Sequence, residues 1–396
     1  MHSFSTKKYK IAIVNLTPFY YHMPLYKQLS ESSDINLTVY YCSDLAVKDL
    51  KEQNLIGLFK GYNYKFLKNY SPFNKNLASA FAVANLGIYK EILKNHYDLV
   101  VLQAWDKFTF LLAFMVCVFA KTPIVFMTDT NCLAREGNSW IKKMFKKILL
   151  KGIIFKKADG FLTSGKANEE FYKKYGVEDS KMTRFHYSFG YEWFLDKAKE
   201  LNGKKQTIRK KFGINESDFV LLFVGRIVEG KNIFNLLQGY NNVENPNKKL
   251  FIVGAGNLTD AVQNYIKKLD IKGVKMVGFK PREQLCDFYA MSDAFILPSE
   301  KETWGIVVNE AMCFGLPIIV SDKVGAGPDL VQDGYNGFIF SAQDVEKLSE
   351  IIERLIKMDK KDILALREAS GHIITKWISE TDPTAQILKL IEKIKA

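Results

Sequence analysis

Five cysteines stand in 396 residues: Cys42, Cys117, Cys132, Cys286 and Cys313. They are odd in number and scattered, and no two have CxxC spacing. That excludes a disulfide framework and a zinc site and fits a reducing compartment. Proline is scarce at 10, and no low-complexity tract or short-period repeat is present. With 47% apolar residues, this is the composition of a folded globular chain. The longest uninterrupted apolar run is "FTFLLAFMVCVFA", Phe108–Ala120, closed by Lys107 and Lys121. As a helix it rises about 20 Å, against about 30 Å of hydrocarbon to cross. A buried helix is therefore expected there, not a span. The opening "MHSFSTKKYKIAIVNL" has too few apolar residues after its lysines for a signal-peptide core.

Acid is also scarce, but only in one half. The net charge is +13, and residues 1–200 hold 29 Lys and Arg against 18 Asp and Glu. An anionic partner of the excess would meet the N-terminal half.

What is present is alternation. Short runs rich in Val, Ile and Phe predict strands over 11–16, 36–42, 99–103, 124–128 and 160–163. Helical spacing predicts helices over 24–32, 76–94, 108–120, 139–151 and 166–175. After a polar, basic stretch at 197–213, strands follow at 220–224, 250–253, 275–277, 294–297 and 318–320, again separated by helices. Near-continuous apolar strands between helices indicate parallel sheets covered on both faces. Two such series predict an α/β chain of two doubly wound, Rossmann-like domains facing across a cleft, with ligands at the carboxyl ends of the strands.

"PSEKETWGIVVNEAM" (298–312) places carboxylates at one of those strand ends. The loop after strand 294–297 runs into a helix, whose first amides and partial positive charge favour phosphate. Gly305 removes the Cβ that would block a backbone approach. Glu310, one turn in, suits vicinal hydroxyls, because a carboxylate accepts two O–H bonds. A second acid, Glu302, on a sugar, with phosphates between, describes a nucleotide sugar. Upstream, "LLFVGRIVEGKNIFNLLQGY" (221–240) delivers Arg226 and Lys231 at another strand end. Each charge-assisted hydrogen bond to a diphosphate leaving group is worth roughly 1.5–3 kcal/mol. Taken singly, Glu302 and Glu310 also read as a capping group and a solvated helix residue, and the two cations as surface charges. Their joint placement at strand ends favours the site.

"GRIVEGK", "FIVGAGNL" and "VKMVGFKPREQLCDFYAMSDAFILPSEKETWGIVVNEAMCFGLPIIVSDKVGAGPDLVQDGYNGFIF" together resemble the C-terminal half of a glycosyltransferase family 4 enzyme of GT-B fold, over roughly 219–345. The resemblance implies domains at 1–198 (acceptor side), 199–378 (nucleotide-sugar donor) and 379–396, a helix returning to the first domain. It implies a retaining glycosyltransferase without metal or other cofactor, using a UDP- or GDP-linked sugar. Arg226 and Lys231 would hold the diphosphate, Glu310 the ribose and Glu302 the sugar, assisted by backbone around Trp304, Gly305, Ile306 and Val307. Phe279 and Lys280 would flank the base. The family's glycine pair near the first strand is replaced by "NLTPFYYHMPLY", which contains His22. "IVFMTDTNCLAREGNSW" offers Asp129, Arg135 and Glu136 where the family often has a histidine. These four are acceptor-side candidates. His22 equally reads as a structural residue, and Asp129 and Arg135 as parts of a loop.

Residues 140–157 carry apolar positions at helical spacing with lysines on the other face. Such a helix either packs on the core or lies on an anionic membrane, gaining about 1 kcal/mol per nearby lysine. The acceptor expected is a glycan, lipid-linked, in surface polysaccharide assembly at the inner face of the cytoplasmic membrane. The alternatives are a GT-B nucleotide-sugar epimerase and, more remotely, a nucleic-acid-binding protein. No aromatic-basic motif supports the last, and no nucleic-acid partner is expected.

Overall fold

The computed structural model describes residues 8–19, 21–47, 56–73, 77, 79–133, 149–187 and 190–396. It divides into two compact units. The first comprises 1–130, 137–189 and 381–396, and the second 131–136 and 190–380.

The first unit is a seven-stranded sheet, all of whose pairings are parallel. Its elements are β1 (Tyr9–Asn15), α1 (Met23–Glu31), β2 (Ile35–Tyr41), β3 (Asn63–Phe66), α2 (Ile88–Asn95) and β4 (Leu99–Leu102). They continue with α3 (Phe108–Ala120), β5 (Ile124–Thr128), β6 (Gly160–Thr163), α4 (Lys166–Lys174) and β7 (Met182–Arg184). The strand order β3-β2-β1-β4-β5-β6-β7 reverses direction between β1 and β4, as a doubly wound sheet does. The C-terminal helix Pro383–Lys395 belongs to this unit, and its Ile387, Leu390 and Ile391 sit in the core with Ile11, Val101 and Leu162. Gly160 makes room for it, since a Cβ there would lie 3.0 Å from Leu390.

The second unit opens on α5 (Tyr191–Leu201) and α6 (Lys205–Lys211), then β8 (Phe219–Val224), α7 (Ile233–Asn241), β9 (Lys248–Val253) and α8 (Thr259–Lys268). Next come β10 (Val274–Gly278), α9 (Arg282–Met291), β11 (Ala294–Leu297), α10 (Ile306–Cys313), β12 (Ile318–Ser321) and β13 (Gly337–Phe340). Two long helices close it, α11 (Val345–Lys357) and α12 (Lys360–Glu380), and the C-terminal helix of the first unit is α13. Six parallel strands run in the order β10-β9-β8-β11-β12-β13, so the switch lies between β8 and β11.

Three sequence expectations change. Residues 77 and 79–87 are turns and loop, and among the described residues of the helix expected over 76–94 only those from Ile88 on, in Ile88–Asn95, are helical. Side chains claim this backbone instead: Asn69 accepts from the amide of Ala84 at 2.8 Å, and Asn85 donates to the carbonyls of Cys42 and Leu67 at 3.0 Å. Helix α3 has the expected bounds but is buried on one face only, through Phe110, Ala113, Phe114 and Cys117, while Met115, Val118 and Phe119 face solvent, the last 85% exposed. The polar, basic stretch 197–213, expected only to part the two series of strands, forms the end of α5 and all of α6. Its Arg209 is buried and ion-paired to Asp293 at the foot of β11. The helix expected over 139–151 lies outside the described residues except at 149–151.

Candidate functional site

In the second unit the carboxyl ends of all six parallel strands share one edge of the sheet. Four loops there matter: 225–231 after β8, 254–258 after β9, 279–280 after β10 and 298–305 after β11.

Backbone hydrogen bonds lock these loops together. The amides of Glu300 and Lys301 both donate to the carbonyl of Gly230, at 3.0 and 3.2 Å. Ile227 donates to the carbonyl of Ala255 at 3.0 Å, and its own carbonyl accepts from Leu258 at 3.1 Å. The glycines of "VGAGN" therefore have a structural cause. A Cβ on Gly254 would meet the carbonyl oxygen of Gly225 at 1.9 Å, and one on Gly256 that of Ile227 at 2.2 Å.

Lys231 and Glu302, from loops on either side of the switch, form an ion pair, each side chain 15% exposed. An ammonium has three donors, so Lys231 retains two for another acceptor. Arg226 is exposed, and among the described contacts its side chain has no hydrogen-bond or carboxylate partner. Asn232, directly after Lys231, takes a left-handed conformation (φ 57°), which asparagine tolerates better than most residues. Its amide donates to the carbonyls of Pro298 (3.2 Å) and Ala342 (2.7 Å), tying this turn to the end of β11.

Gly305 is also left-handed (φ 100°) and starts α10. A Cβ there would lie 3.0 Å from Leu297 and 3.3 Å from Glu302. The half-buried Ile306 and Val307 supply the first helical amides, which lack intrahelical acceptors in any helix. The Trp304 indole is not available to a ligand. It is buried, stacks on Trp377 at 5.4 Å and donates to Asn309 at 2.9 Å, so only its backbone can take part. Glu310 accepts a 2.7 Å hydrogen bond from the buried Tyr289 hydroxyl. Burial pushes its carboxyl above the usual range, against smaller downward pulls from Tyr289 and Arg282. Phe279 is 61% exposed after β10, with Lys280 beside it.

Sequence reasoning overlooked Asn131, Asn232 and Tyr289. Asn131 belongs to the second unit and donates to the carbonyls of Glu302 (3.1 Å) and Thr303 (2.8 Å). The only signal for Asn232 was its place directly after the lysine; Tyr289 had none.

The other candidates lie in the first unit. His22, buried directly before α1, stacks on Tyr187 at 5.0 Å and lies 3.5 Å from the Asn15 amide. Burial lowers its pKa to about 3, so it is neutral across the physiological range. Asp129 follows β5, and its charge is felt by Tyr187 and Tyr172, whose hydroxyl pKa values it raises after the larger effect of burial. Arg135 and Glu136 lie outside the described residues.

Residues 204–369 match the family of glycosyl transferases group 1. Among curated proteins, N-acetyl-alpha-D-glucosaminyl L-malate synthase of Bacillus anthracis is 27% identical over 165 residues, 41% of this chain and 43% of that protein. The capsular polysaccharide biosynthesis glycosyltransferase CapM of Staphylococcus aureus is 30% identical over 157 residues, 39% of this chain and 40% of that one. The chain thus spans about two fifths of each of these relatives. Among solved structures, that of Anabaena HepE in complex with UDP and glucose superposes with a TM-score of 0.68 at 19% identity, covering 98% of both chains. At that identity the likeness is one of fold: α/β, with two doubly wound parallel sheets.

Proposed function

We propose that this chain, whose residues 204–369 belong to the glycosyl transferases group 1 family within a GT-B fold, is a retaining glycosyltransferase taking its sugar from a nucleotide diphosphate. One observation carries the reading: Lys231 and Glu302 pair at the carboxyl edge between β8 and β11, with Arg226 on the same loop as Lys231 and the left-handed glycine that opens α10 beside Glu302. When the glycosidic C–O bond breaks, negative charge grows on the departing diphosphate. Arg226, the spare donors of Lys231 and the first amides of α10 stabilise that charge where it appears. Glu302 keeps one carboxylate oxygen for sugar hydroxyls while paired to Lys231, and Glu310 does the same for a ribose while bonded to Tyr289. The exposed Phe279 ring suits a base. No step in this scheme calls for a metal.

Isothermal titration with UDP and GDP, followed by turnover with the matching nucleotide sugars, tests the reading. Arg226→Ala is expected to weaken nucleotide binding by tenfold or more, about 1.4 kcal/mol. Glu302→Gln is expected to lower kcat by on the order of 100-fold, about 2.7 kcal/mol. Unchanged nucleotide affinity in the first variant and near-normal turnover in the second would remove both residues from the site. Isomerisation of donor without acceptor would instead mark an epimerase, and proton NMR of the product reads retention at the anomeric carbon.

The acceptor we infer to be a lipid-linked glycan of a surface polysaccharide, met at a membrane. CapM and the HepE complex support the sugar chemistry by kinship, and the first unit supports the surface. Met115, Val118 and Phe119 stand exposed on α3 ahead of the exposed Lys121. Leu149 and Ile153 stand exposed among Lys151, Lys156 and Lys157. No described helix is long and apolar enough to cross a membrane. Exposed apolar side chains among lysines suit an anionic interface. The chain should sediment with vesicles containing phosphatidylglycerol and not with pure phosphatidylcholine, and Phe119→Ser should weaken that several-fold. Equal recovery in all the pellets counts against membrane docking.

A further inference from the structure

Glu310 of α10 is half-buried, and among the described residues it meets one hydrogen-bond donor: its Oε2 accepts from the Tyr289 hydroxyl at 2.7 Å. Oε1 has no described partner, and no lysine or arginine among those residues forms an ion pair with this carboxylate. Arg282 acts on it by charge. That guanidinium lies over the rings of Trp193 and Phe194, 4.2 and 4.5 Å from their centres, and donates to the carbonyl of Gly190 at 3.0 Å. Burial raises the pKa of the carboxyl, and the Tyr289 hydroxyl, followed by the Arg282 charge, works against that. A carboxylate has about four acceptor positions, and one hydroxyl fills one of them. Keeping the rest unmet in a half-buried place is costly unless a ligand brings donors.

Tyr289 of α9 is held in turn by its ring. The ring is fully buried, stacks on Phe314 with centres 5.5 Å apart, and packs against Phe295 and Phe194 at 6.2 and 6.5 Å. The hydroxyl oxygen lies on the ring's own axis, so fixing the ring fixes the donor. Phenylalanine would satisfy the same ring contacts. What tyrosine adds at this position is a hydroxyl aimed at Glu310. The terminal torsion of a glutamate is otherwise broad. With Oε2 engaged it is arrested, and the direction of Oε1 is set.

We propose that Tyr289 is the positioning residue through which this chain prefers a ribonucleotide donor to a deoxyribonucleotide one. The inference rests on reading Glu310 as the ribose ligand. Held at Oε2, the carboxylate presents the two lone pairs of Oε1 to the vicinal hydroxyls of the sugar. A deoxyribose lacks one of those donors and leaves that oxygen partly unmet, which is how a polar site rejects an analogue short of a hydroxyl. Without the Tyr289 hydroxyl the carboxylate turns, and the distinction between the two sugars goes with it.

Titration calorimetry of the whole chain with UDP and GDP, and with the 2′-deoxy and 3′-deoxy forms of each, tests this. The native chain should bind its ribonucleotide roughly tenfold or more tightly than one of the deoxy forms. Tyr289→Phe should lose most of that ratio by weakening the ribonucleotide, with the deoxy form bound within about twofold of native. Glu310→Ala should lose it too, and the double variant should bind the ribonucleotide no more weakly than Glu310→Ala alone. Each ratio is internal to one variant, so a fraction of misfolded chain cancels from it. A native ratio in Tyr289→Phe, an equal loss there for ribo and deoxy forms, or losses that add in the double variant overturns the inference. No preference in the native chain, or one that survives Glu310→Ala, removes Glu310 from the ribose and takes the inference with it.

Discussion

Gly254→Ala should destabilise the second unit by more than about 3 kcal/mol and abolish nucleotide diphosphate binding, although residue 254 offers no side chain to any ligand. Two independent causes add. The native φ of 140° lies where residues with a Cβ are strained. The added methyl would also lie 1.9 Å from the carbonyl oxygen of Gly225, backbone that has nowhere to retreat. Gly225 is held from the other direction, since its amide donates to the carbonyl of Val253 at 3.0 Å. Arg226 lies between the two residues, Gly225 and Ile227, on which Gly254 and Gly256 close. Opening this loop pair therefore displaces the guanidinium proposed to meet the diphosphate. Gly230→Ala is the control. Gly230 adjoins Lys231, but its φ is not positive, and its nearest contact would be Lys301 Cβ at 3.6 Å. That variant should stay within about 1 kcal/mol of the native chain with nucleotide affinity intact. Urea denaturation and titration calorimetry read both quantities. A Gly254→Ala chain of native stability that still binds nucleotide would show that the interlocked loops do not fix Arg226.

These glycines also mark how far the sequence could be read. "VGAGN" was visible as a tight turn after a strand, but the reason for it, a second backbone passing within contact distance, lies 29 residues earlier in the chain. The central strands were legible because a strand covered on both faces must be apolar at every position, as the fully buried β4, β5, β6, β11 and β12 are. The strands left unread are at sheet edges. β3 reads NYKF with every residue exposed, β7 is three half-buried residues, and β13 is a four-residue strand opening on glycine. Edge strands need no continuous apolar run, so their composition does not announce them. At the site, charged residues at strand ends could be singled out because charge there is unusual. The neutral groups that orient them could not. Asn131, Asn232 and Tyr289 act through partners at least 21 residues away, and nothing local to an asparagine or tyrosine reveals that. Nor could the sequence say that the Trp304 indole stacks on Trp377, which arrives from a distant helix, and leaves only the backbone expected there.

Acid should unfold the first unit before the second, and two histidines set the window. His186, buried after β7, shares a 2.9 Å hydrogen bond with Thr381, and its amide donates to the carbonyl of the same residue at 3.0 Å. Thr381 and Asp382 lead into α13, where Asp382 caps the helix by accepting from Ala385 and also accepts from Gln28 of α1 at 2.7 Å. Burial lowers the pKa of His186 to about 4, with Asp382 pulling back upward, and that of His22 to about 3. An unfolded histidine takes up its proton near pH 6.5, but the folded ones resist until about 4 and about 3. Their contribution is therefore complete above about pH 6.5 and is lost as pH falls through that interval, roughly 2 kcal/mol for each by pH 5. Glu310 works in the opposite sense. Its raised pKa means the native carboxyl takes up a proton more readily than the unfolded one, so acidification favours the second unit at that residue. Hydrogen exchange followed peptide by peptide should show residues 183–187 and 381–396 losing protection together between pH 6.5 and 5, while β8 and β11 keep theirs. His186→Gln and His22→Gln should each remove about half of the slope. A first unit whose stability keeps the same pH dependence in both variants would show that other groups drive its acid unfolding, and that the contact between His186 and Thr381 is not what fastens α13 to the sheet.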